Sequence, residues 1–365
     1  MSGTSMDGVD AVLVSFDVDH LSVVGFLNTP YSDRLREQLA TAIVPNALLS
    51  LDNIAKLNIS VGREFANATK ALLALTGTRS SDVAAIGSHG QTLRHSPDSD
   101  PPYSVQIGDP ATIASQCGIT TVADFRSLDI ASGGQGAPLV PAFHQAFFRA
   151  TDKNTVVLNI GGIANITILP AAPNDSIEGF DTGPGNCLLD DWIAKVQSLA
   201  YDDNGAWGAS GKVCEALLKK FMADPYIQRE ERKSTGREYF NLEFVEGILG
   251  TMASLDISTA DIQATLAAFT VTSITKAIKQ TASNVDRILV CGGGAKNNTL
   301  IQGLRNEFKK IQIESTSYLG VDPDMVEALA FAWFAKQRLA YAPIRVTTNP
   351  NSSSKLLGAV YEISN

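Results

Sequence analysis

Short apolar runs alternate with longer segments of helical spacing throughout the opening third of the chain. Val9 to Phe16 is rich in valine and lies between Gly8 and Asp17, which predicts a strand. Apolar residues at helical spacing predict a long helix from Ser50 to Leu75. Further strands are predicted at Leu21–Leu27, Ala84–Ser88, Tyr103–Ile107 and Ile119–Ala123, and further helices at Tyr31–Ala42 and Pro110–Cys117. This third is mixed α/β.

The same alternation returns in the second half. Thr155 to Asn159 predicts a buried strand and Asn165 to Leu169 its hairpin partner, while Asp286 to Cys291 reads as a buried strand of a parallel sheet. The remaining predictions are a strand at Ile177–Asp181 and helices at Cys187–Leu199, Ser210–Met222, Asp261–Ala282 and Met325–Leu339. This half is α/β as well.

One local arrangement recurs, a strand followed by a turn of small residues and often a helix. It occurs at Gly3–Gly8, Gly133–Gly136, Gly161–Gly162, Thr182–Asn186 and Gly292–Ala295. Two α/β lobes whose glycine-rich turns face each other suggest a nucleotide cleft between the lobes.

Composition narrows the class of protein. The 365 residues are 44% hydrophobic and 18% charged, which suits about two folded domains. The net charge of −9 gives no global reason to bind nucleic acid or an anionic membrane. The chain has no apolar run of membrane-spanning length and no signal peptide, and its four separated cysteines suggest free thiols. We therefore expect a cytoplasmic protein that holds any phosphorylated ligand locally.

The N-terminal turn, Ser2 to Asp10, is polar and bounded by glycine. Small residues let the backbone approach phosphates, Thr4 and Ser5 can donate hydrogen bonds, and Asp7 or Asp10 can hold Mg²⁺ through water. An ordinary hairpin turn would have the same composition. A P-loop is excluded, because the sequence contains no G-x-x-x-x-G-K-[ST] string.

Asp181 stands at the end of a predicted strand, within the string DTGPGN. Two glycines open space beside it, and the N–H groups of the following helix would point to the same place. Such an aspartate can act as a general base, although a plain helix cap is the alternative. An aspartic protease would need a second D-[ST]-G in a mostly β chain, and that string is absent.

Other polar residues follow buried strands, where α/β proteins bind ligands. Gly292–Gly294 favours a nucleotide turn over a plain strand–helix turn, because three glycines cost chain entropy. SHGQT (88–92) and ADFR (123–126) are weak signals singly, and KSTGRE (233–238) is a binding loop or a solvated charged surface. No H-E-x-x-H string or Cys/His cluster is present, so zinc is not expected.

Together these strings resemble the anhydro-N-acetylmuramic acid kinase family. The strings that carry the resemblance, in order along nearly the whole chain, are MSGTSMDGVDAVL (1–13), SHGQT, ADFR, GGQGAPLVPAFH (133–144), NIGGIANIT (159–167), DTGPGN (181–186), KSTGRE, CGGGAKN (291–297) and EALAFAW (327–333). The resemblance implies the two-lobed, actin-like (ribonuclease H-like) ATPase fold with a nucleotide cleft between the lobes. We place the N-terminal lobe at residues 1–125 plus 345–365 and the C-terminal lobe at 126–344.

The resemblance also implies a reaction. Water opens the 1,6-anhydro bridge of the sugar, and the released O6 attacks the γ-phosphate of ATP. Asp181 corresponds to the catalytic base. The ATP-binding residues would be Gly3, Thr4, Ser5, Met6, Asp7, Gly8, Val9, Asp10, Gly161, Gly162, Gly292, Gly293 and Gly294, with Asp7 on Mg²⁺. The sugar-site residues would be His89, Gln91, Phe125, Arg126 and Asn165. Arg126 is a candidate partner for the lactyl carboxylate of a muramic sugar.

One departure concerns the N-terminus. In the family an apolar strand precedes the S-G-T-S-M-D-G turn, whereas this sequence starts at Met1 inside that element. We expect that VDAVLVSF (9–16) lacks its hairpin partner, that one strand is missing from the sheet, and that the native chain starts a few residues upstream.

Two alternatives stay open. A levoglucosan (anhydroglucose) kinase would share the fold, but the C-terminus ends soon after LGAVY (357–361), as in bacterial members of the first family. An actin-like or chaperone-like ATPase that binds protein partners would have no use for SHGQT and ADFR. The resemblance further implies a homodimer.

Overall fold

The computed structural model describes residues 1–3, 6–17, 21–44, 47–172, 175–229, 235–252, 256–282, 284–345 and 353–363. The chain forms two compact units. Unit 1 comprises Met1–Phe143 and Met325–Asn365, and unit 2 comprises His144–Asp324. Strands and helices alternate in both, which confirms the α/β class.

The strands of the described residues are short and mostly buried on at least one face. In chain order they are β1 (Gly8–Phe16), β2 (Leu21–Pro30), β3 (Ile86–Gly87), β4 (Gln91–Ser96), β5 (Tyr103–Ile107), β6 (Thr121–Ala123), β7 (Thr155–Ile160), β8 (Ile163–Leu169), β9 (Glu178–Pro184), β10 (Arg287–Cys291), β11 (Gln312–Ser315) and β12 (Ala359–Tyr361).

The helices range from a single turn to seven turns. In chain order they are α1 (Asp33–Ile43), α2 (Leu51–Thr76), α3 (Pro110–Cys117), α4 (Ser127–Ala131), α5 (Pro141–Phe148), α6 (Cys187–Gln197), α7 (Ala206–Ser210), α8 (Glu215–Met222), α9 (Pro225–Gln228), α10 (Leu242–Gly250), α11 (Thr259–Thr281), α12 (Asn298–Glu307) and α13 (Val326–Leu339).

Unit 2 is built on a five-stranded sheet in the order β11-β10-β7-β8-β9. β7, β8 and β9 form an antiparallel meander, and β10 and β11 add parallel to β7. Every residue of β7 and β10 is buried, as expected for central strands covered on both faces. A three-stranded meander extended by two parallel strands is the ribonuclease H-like arrangement, so the predicted fold is confirmed in this unit.

The long helix α11 fills much of the unit 2 core. Leu266, Phe269 and Ile274 are all buried and pack with the apolar side chains of β7 and β10. The helix begins at the N-cap Ser258, whose hydroxyl accepts a hydrogen bond from the N–H of Asp261 at 3.1 Å. The sheet edge that carries the glycine turns is therefore held by a continuous apolar core.

Unit 1 contains three smaller sheets, β1-β2, β12-β6-β3 and β4-β5. β1 pairs with β2 along its whole length, from Gly8 opposite Pro30 to Phe16 opposite Leu21. The expectation that β1 lacks a hairpin partner is therefore wrong, because the following segment supplies it. On its other edge, the N–H of Asp10 donates to the carbonyl of Met1 at 2.8 Å.

The boundaries between the two units differ from the predicted domain boundaries, because helix α13 packs in unit 1. Phe331 and Phe334 pack against Phe125, with ring centroids 5.5 and 5.8 Å away, and Trp333 packs against Phe143. These aromatic contacts place the helix in unit 1. The units consequently divide after Phe143 and Asp324 rather than after residues 125 and 344.

Buried histidines make the stability of the fold depend on pH. His144 is 1% exposed and lies 2.9 Å from the Thr167 hydroxyl, and burial lowers its pKa from 6.5 to about 3. A base whose pKa is depressed by folding stabilises the protein above its unfolded pKa and loses that contribution as pH falls. We expect His144 to cost about 1.4 kcal/mol of unfolding free energy for each pH unit below 6.5.

The measurement is urea unfolding at pH 7.5, 6.5 and 5.5 for the wild type and His144→Gln. The variant keeps an amide within reach of Thr167 but cannot titrate, so its loss between pH 6.5 and 5.5 should be smaller. An identical pH slope in both proteins would contradict the prediction.

Candidate functional site

Three glycine-containing turns meet at one edge of the unit 2 sheet. β7 ends at Ile160, β9 at Pro184 and β10 at Cys291, and these three strands run in the same direction. Each is followed directly by small residues, as the strand-end motifs of the sequence predicted. The structure therefore brings Gly161, Gly162 and Gly292–Gly294 to the same sheet edge as Asp181.

Backbone hydrogen bonds join two of these turns. The N–H groups of Gly185, Asn186 and Cys187 donate to the carbonyls of Gly161 and Gly162 at 2.8–3.1 Å. These N–H groups were expected to face a ligand at the start of α6, and the structure corrects this because the carbonyls of the neighbouring turn already accept their hydrogen bonds. Asn186 also donates through Nδ2 to the Ile160 carbonyl at 3.1 Å.

The three positions of the 292–294 turn are occupied by glycine for different physical reasons. Gly292 has φ +78°, and a Cβ there would lie 2.3 Å from Asn159 Oδ1. A Cβ on Gly294 would lie 2.3 Å from an Ile160 methyl carbon. A Cβ on Gly293 would come only within 4.0 Å of Asn186 Nδ2. Gly292 and Gly294 are thus required for packing, whereas the position of a Cβ on Gly293 is open.

This difference gives a paired prediction. Gly293→Ala should leave the melting temperature within about 2 °C, because its methyl group meets little protein, while raising KM for ATP. Gly292→Ala should lower stability by about 1–3 kcal/mol through strain and the backbone clash. Thermal melts and ATP titrations of both variants test the pair. An unchanged KM for ATP in Gly293→Ala would remove the 292–294 turn from the nucleotide site.

Asp181 lies in a row of polar residues that crosses the sheet. In the register of the strands, Asn159 is opposite Asn165, and Asn165 is opposite Asp181. Opposite residues share a face of a sheet, so the predicted sugar-site residue Asn165 lies beside the predicted base. Asn159 was not among the predicted site residues, although a polar residue near the end of the apolar run TVVLNI was a usable signal.

Two contacts from distant segments hold Asp181. The N–H of Thr235 donates to Asp181 Oδ2 at 2.9 Å, and the Tyr226 hydroxyl donates to the Asp181 carbonyl at 3.1 Å. Thr235 belongs to the KSTGRE string, of which Lys233 and Ser234 lie outside the described residues. Thr235 of that string is therefore a direct neighbour of the predicted base.

In unit 1 the N-terminal turn is held by Gln91. Its side-chain amide donates to the Gly3 carbonyl at 3.1 Å, and its Oε1 lies 2.7 Å from the Ser2 hydroxyl. Gln91 is 2% exposed. The predicted sugar-site role of Gln91 stays a prediction, and the structure adds that both ends of its amide group contact the N-terminal turn.

The other residues of the turn differ in accessibility. Met6 and Val9 are buried in the unit 1 core, so only their backbone is available to a phosphate. Asp7 is exposed. Asp10 accepts a hydrogen bond from Asn28 Nδ2 at 2.8 Å. Thr4 and Ser5 lie outside the described residues.

A site for Mg²⁺ would need oxygen ligands from the protein. Across the described ranges, no group of three or more His, Cys, Asp or Glu side chains is arranged to hold a metal. Magnesium in kinases is held by one or two carboxylates together with substrate phosphates and water. An exposed Asp7 in a glycine-bounded turn fits that mode.

A buried histidine, His89, contacts the partly exposed Arg126 in unit 1. Arg126 donates through Nε and Nη2 toward His89 Nε2 at 3.2 and 2.9 Å, and through Nη1 to the Gly136 carbonyl at 2.6 Å. The His89 ring packs on Phe331 with centroids 4.6 Å apart. Burial, and then the charge of Arg126, lower the pKa of His89 well below its usual value. His89 is thus a neutral acceptor that orients the guanidinium.

Phe125 is placed differently from its prediction. It is 2% exposed and packs among Phe331 and Phe334. A side chain so enclosed supports Arg126 from the core and offers little surface to a sugar. Its predicted sugar-site role stays a prediction.

A buried ion pair supports the loop that carries Gly136. Lys355 Nζ lies 2.8 Å from Asp129 Oδ1, with side-chain exposures of 9% and 1%. The other oxygen, Asp129 Oδ2, accepts a hydrogen bond from the Gly136 N–H at 2.8 Å. Asp129 therefore joins the C-terminal segment to the loop whose carbonyl accepts from Arg126.

The predicted site residues thus divide between the two units. Asp181, Asn165 and the glycines of three turns come together in unit 2, while the N-terminal turn, His89 and Arg126 lie in unit 1.

The family model for anhydro-N-acetylmuramic acid kinase matches residues 1–363. The chain belongs to the anhydro-N-acetylmuramic acid kinase family.

Individual relatives agree with this assignment. The anhydro-N-acetylmuramic acid kinase of Coxiella burnetii (strain Dugway 5J108-111) is 43% identical over 362 residues, covering 99% of this chain and 96% of the relative. That of Saccharophagus degradans is 43% identical over 365 residues, covering 99% and 97%. The family membership therefore rests on matches along nearly the whole sequence rather than on isolated motifs.

Solved structures give weaker likenesses. Component A of (R)-2-hydroxyglutaryl-CoA dehydratase from Acidaminococcus fermentans is 12% identical with a TM-score of 0.43, covering 91% of this chain and 99% of that one. A ROK family glucokinase from Streptomyces griseus is 11% identical with a TM-score of 0.38, covering 90% and 100%. Among the helices of the described residues, none is long and apolar enough to cross a membrane.

Proposed function

We propose that this protein is an ATP-dependent kinase of 1,6-anhydro-N-acetylmuramic acid. It opens the 1,6-anhydro ring with water and phosphorylates O6, giving N-acetylmuramate 6-phosphate and ADP in peptidoglycan recycling. The observation that carries the proposal is the family match over residues 1–363. The position of Asp181 beside Asn165 and the glycine turns of unit 2 supports it.

Asp181 is the general base of the proposed reaction. Its carboxylate takes a proton from the attacking water, whose oxygen bonds to the anomeric carbon as the bond from that carbon to O6 breaks. O6 then attacks the γ-phosphorus, and the bond to the β-phosphate oxygen breaks to release ADP. The Thr235 N–H, 2.9 Å from Asp181 Oδ2, favours the ionised carboxylate that this step needs.

The phosphates are assigned to the glycine turns. Gly161, Gly162 and Gly292–Gly294 in unit 2 and Gly3–Asp10 in unit 1 are the proposed ATP contacts. Asp7 is the proposed carboxylate for Mg²⁺, which supplies charge neutralisation on the phosphates when it is bound. An acidic chain with a net charge of −9 then needs no basic surface to hold ATP.

Arg126 is the residue proposed to recognise the muramic sugar. Its guanidinium is held by His89 and the Gly136 carbonyl, which leaves its position fixed before a ligand arrives. A fixed guanidinium suits the lactyl carboxylate, the group that plain anhydroglucose lacks. A cytoplasmic location and a homodimer complete the proposal, as the family resemblance implies.

The test is sugar-dependent ADP release with 1,6-anhydro-N-acetylmuramic acid, levoglucosan or no sugar. We expect kcat/KM to be about 10–100-fold higher for the muramic sugar, the range of one charge-assisted hydrogen bond. Mass spectrometry should find the phosphorylated, ring-opened product. Faster turnover with levoglucosan would favour an anhydroglucose kinase, and sugar-independent or peptide-stimulated turnover would favour an ATPase with protein partners.

A further inference from the structure

The segment Thr235–Asn241 connects Asp181 to helix α6 through a backbone N–H and an ion pair that the reaction itself does not use. Thr235 meets the Asp181 carboxylate, as described above. Two residues later, Arg237 Nη2 lies 2.8 Å from Asp191 Oδ1, and each side chain is about one-quarter exposed. Asp191 lies on α6, the helix that follows Asp181 and its turn. The ion pair therefore joins two parts of the chain that both lead to Asp181.

The segment is stiff enough to transmit this contact. The N–H groups of Tyr239 and Phe240 both donate to the Gly236 carbonyl at 3.1 Å. Asn241 donates through Nδ2 to the Arg237 carbonyl at 3.2 Å. Phe240 is fully buried and packs edge-on against Tyr226, whose hydroxyl meets the Asp181 carbonyl.

The charges around Arg237 show what it offsets. Burial raises the pKa of Asp190 to about 7, and the charge of Arg237 opposes that rise, while Asp191 and Asp202 add to it. The pKa of Asp191 is raised by burial and lowered by Arg237. Arg237 thus offsets the negative charge of Asp190 and Asp191, the neighbouring carboxylates on α6.

We infer that Arg237 is a positioning residue, which through its ion pair with Asp191 holds the Thr235 N–H against the carboxylate of Asp181. The inference rests on the proposed function, in which Asp181 is the base. Arg237 touches no reacting atom. Loss of the pair frees the segment, and the carboxylate loses the donor that orients it and favours its ionised form.

The test compares Arg237→Gln and Asp191→Asn with the wild type in the sugar-dependent assay. We expect each to lower kcat about 10–100-fold while KM for ATP stays within about threefold, because positioning acts on the chemical step. Arg237→Lys should recover most of the loss, since a cation is restored at the same place. A thermal melt of each variant separates this effect from unfolding.

A matched control lies on the same helix. Lys195 of α6 pairs with Glu246 of α10, and both side chains are nearly half exposed. Lys195→Gln removes an ion pair from α6 without touching the Thr235–Asn241 segment, so its kcat should stay within about twofold. An equal loss of kcat in Lys195→Gln would show a general effect of α6 and overturn the inference.

Asp181→Asn distinguishes a failure of the positioning role of Arg237 from a failure of the proposed base. If Asp181→Asn is inactive while folded Arg237→Gln and Asp191→Asn keep the wild-type kcat, the positioning role is wrong and the proposed base stands. If Asp181→Asn keeps full activity, the proposed base itself fails. If Arg237→Gln does not fold, Asp191→Asn alone decides, because it removes the charge of the same pair with almost no change in side-chain size.

Discussion

Asp181→Asn is expected to lower kcat for sugar-dependent phosphorylation by about 10²–10⁴-fold, the usual contribution of a general base. The amide keeps the size of the side chain and can still accept from the Thr235 N–H, but it cannot take the proton of the attacking water. KM for ATP should stay within about threefold, since the glycine turns are unchanged. The measurement is ADP release with 1,6-anhydro-N-acetylmuramic acid, with the phosphosugar quantified by mass spectrometry.

Glu178→Gln is the matched control for this variant. Glu178 lies at the start of the same strand, β9, opposite Ile168 and away from the glycine turns. Its substitution removes one carboxylate from the strand and should leave kcat within about twofold. Comparable losses in the two variants would mean that the strand, rather than the Asp181 carboxylate, is being disturbed.

Lys355→Met is expected to lower the free energy of unfolding by about 3–5 kcal/mol. The substitution leaves the 1%-exposed Asp129 without its cation, while the aliphatic part of the side chain is retained. Urea unfolding followed by tryptophan fluorescence and circular dichroism measures the loss. The double variant Asp129→Asn/Lys355→Met should recover part of it, because no buried charge then remains unpaired.

Arg36→Met provides the comparison on the surface of the same unit. Arg36 Nη2 lies 2.7 Å from Asp33 Oδ1 within helix α1, and the two side chains are 56% and 87% exposed. An exposed pair contributes little, so this variant should stay within about 0.5 kcal/mol of the wild type. If Lys355→Met and Arg36→Met lose the same stability, the buried pair has no special role in unit 1.

Local sequence patterns predicted most of the strands because the determining contacts are local. The apolar runs TVVLNI and RILVC became the central strands β7 and β10. The predicted helix from Ser210 to Met222 was wrong at its start, because residues 211–214 are not helical. A Cβ on Gly211 would lie 2.1 Å from the Ala260 carbonyl oxygen, a close approach between residues 49 apart that the local pattern does not reveal.

The candidate site was predictable in the same uneven way. Glycine turns and a strand-end aspartate are signals within a few residues, and they led to Asp181 and Gly292–Gly294. The contacts of Thr235 with Asp181 and of Gln91 with Gly3 join segments far apart in sequence. No spacing rule relates such partners, so the contacts of Gln91 and Phe125 could be recognised only after their neighbours were known.

The division of the chain into units has a consequence for its synthesis. Unit 2 is one continuous stretch, His144–Asp324, whereas the two parts of unit 1 leave the ribosome before and after it. The contact of Phe125 with Phe331 can form only after about 200 further residues have been synthesised. At about 5–20 residues per second this takes roughly 10–40 s. Unit 2 can fold during that interval, while the N-terminal part of unit 1 exposes an incomplete aromatic core. Chaperone demand during translation should therefore fall on the N-terminal part of unit 1.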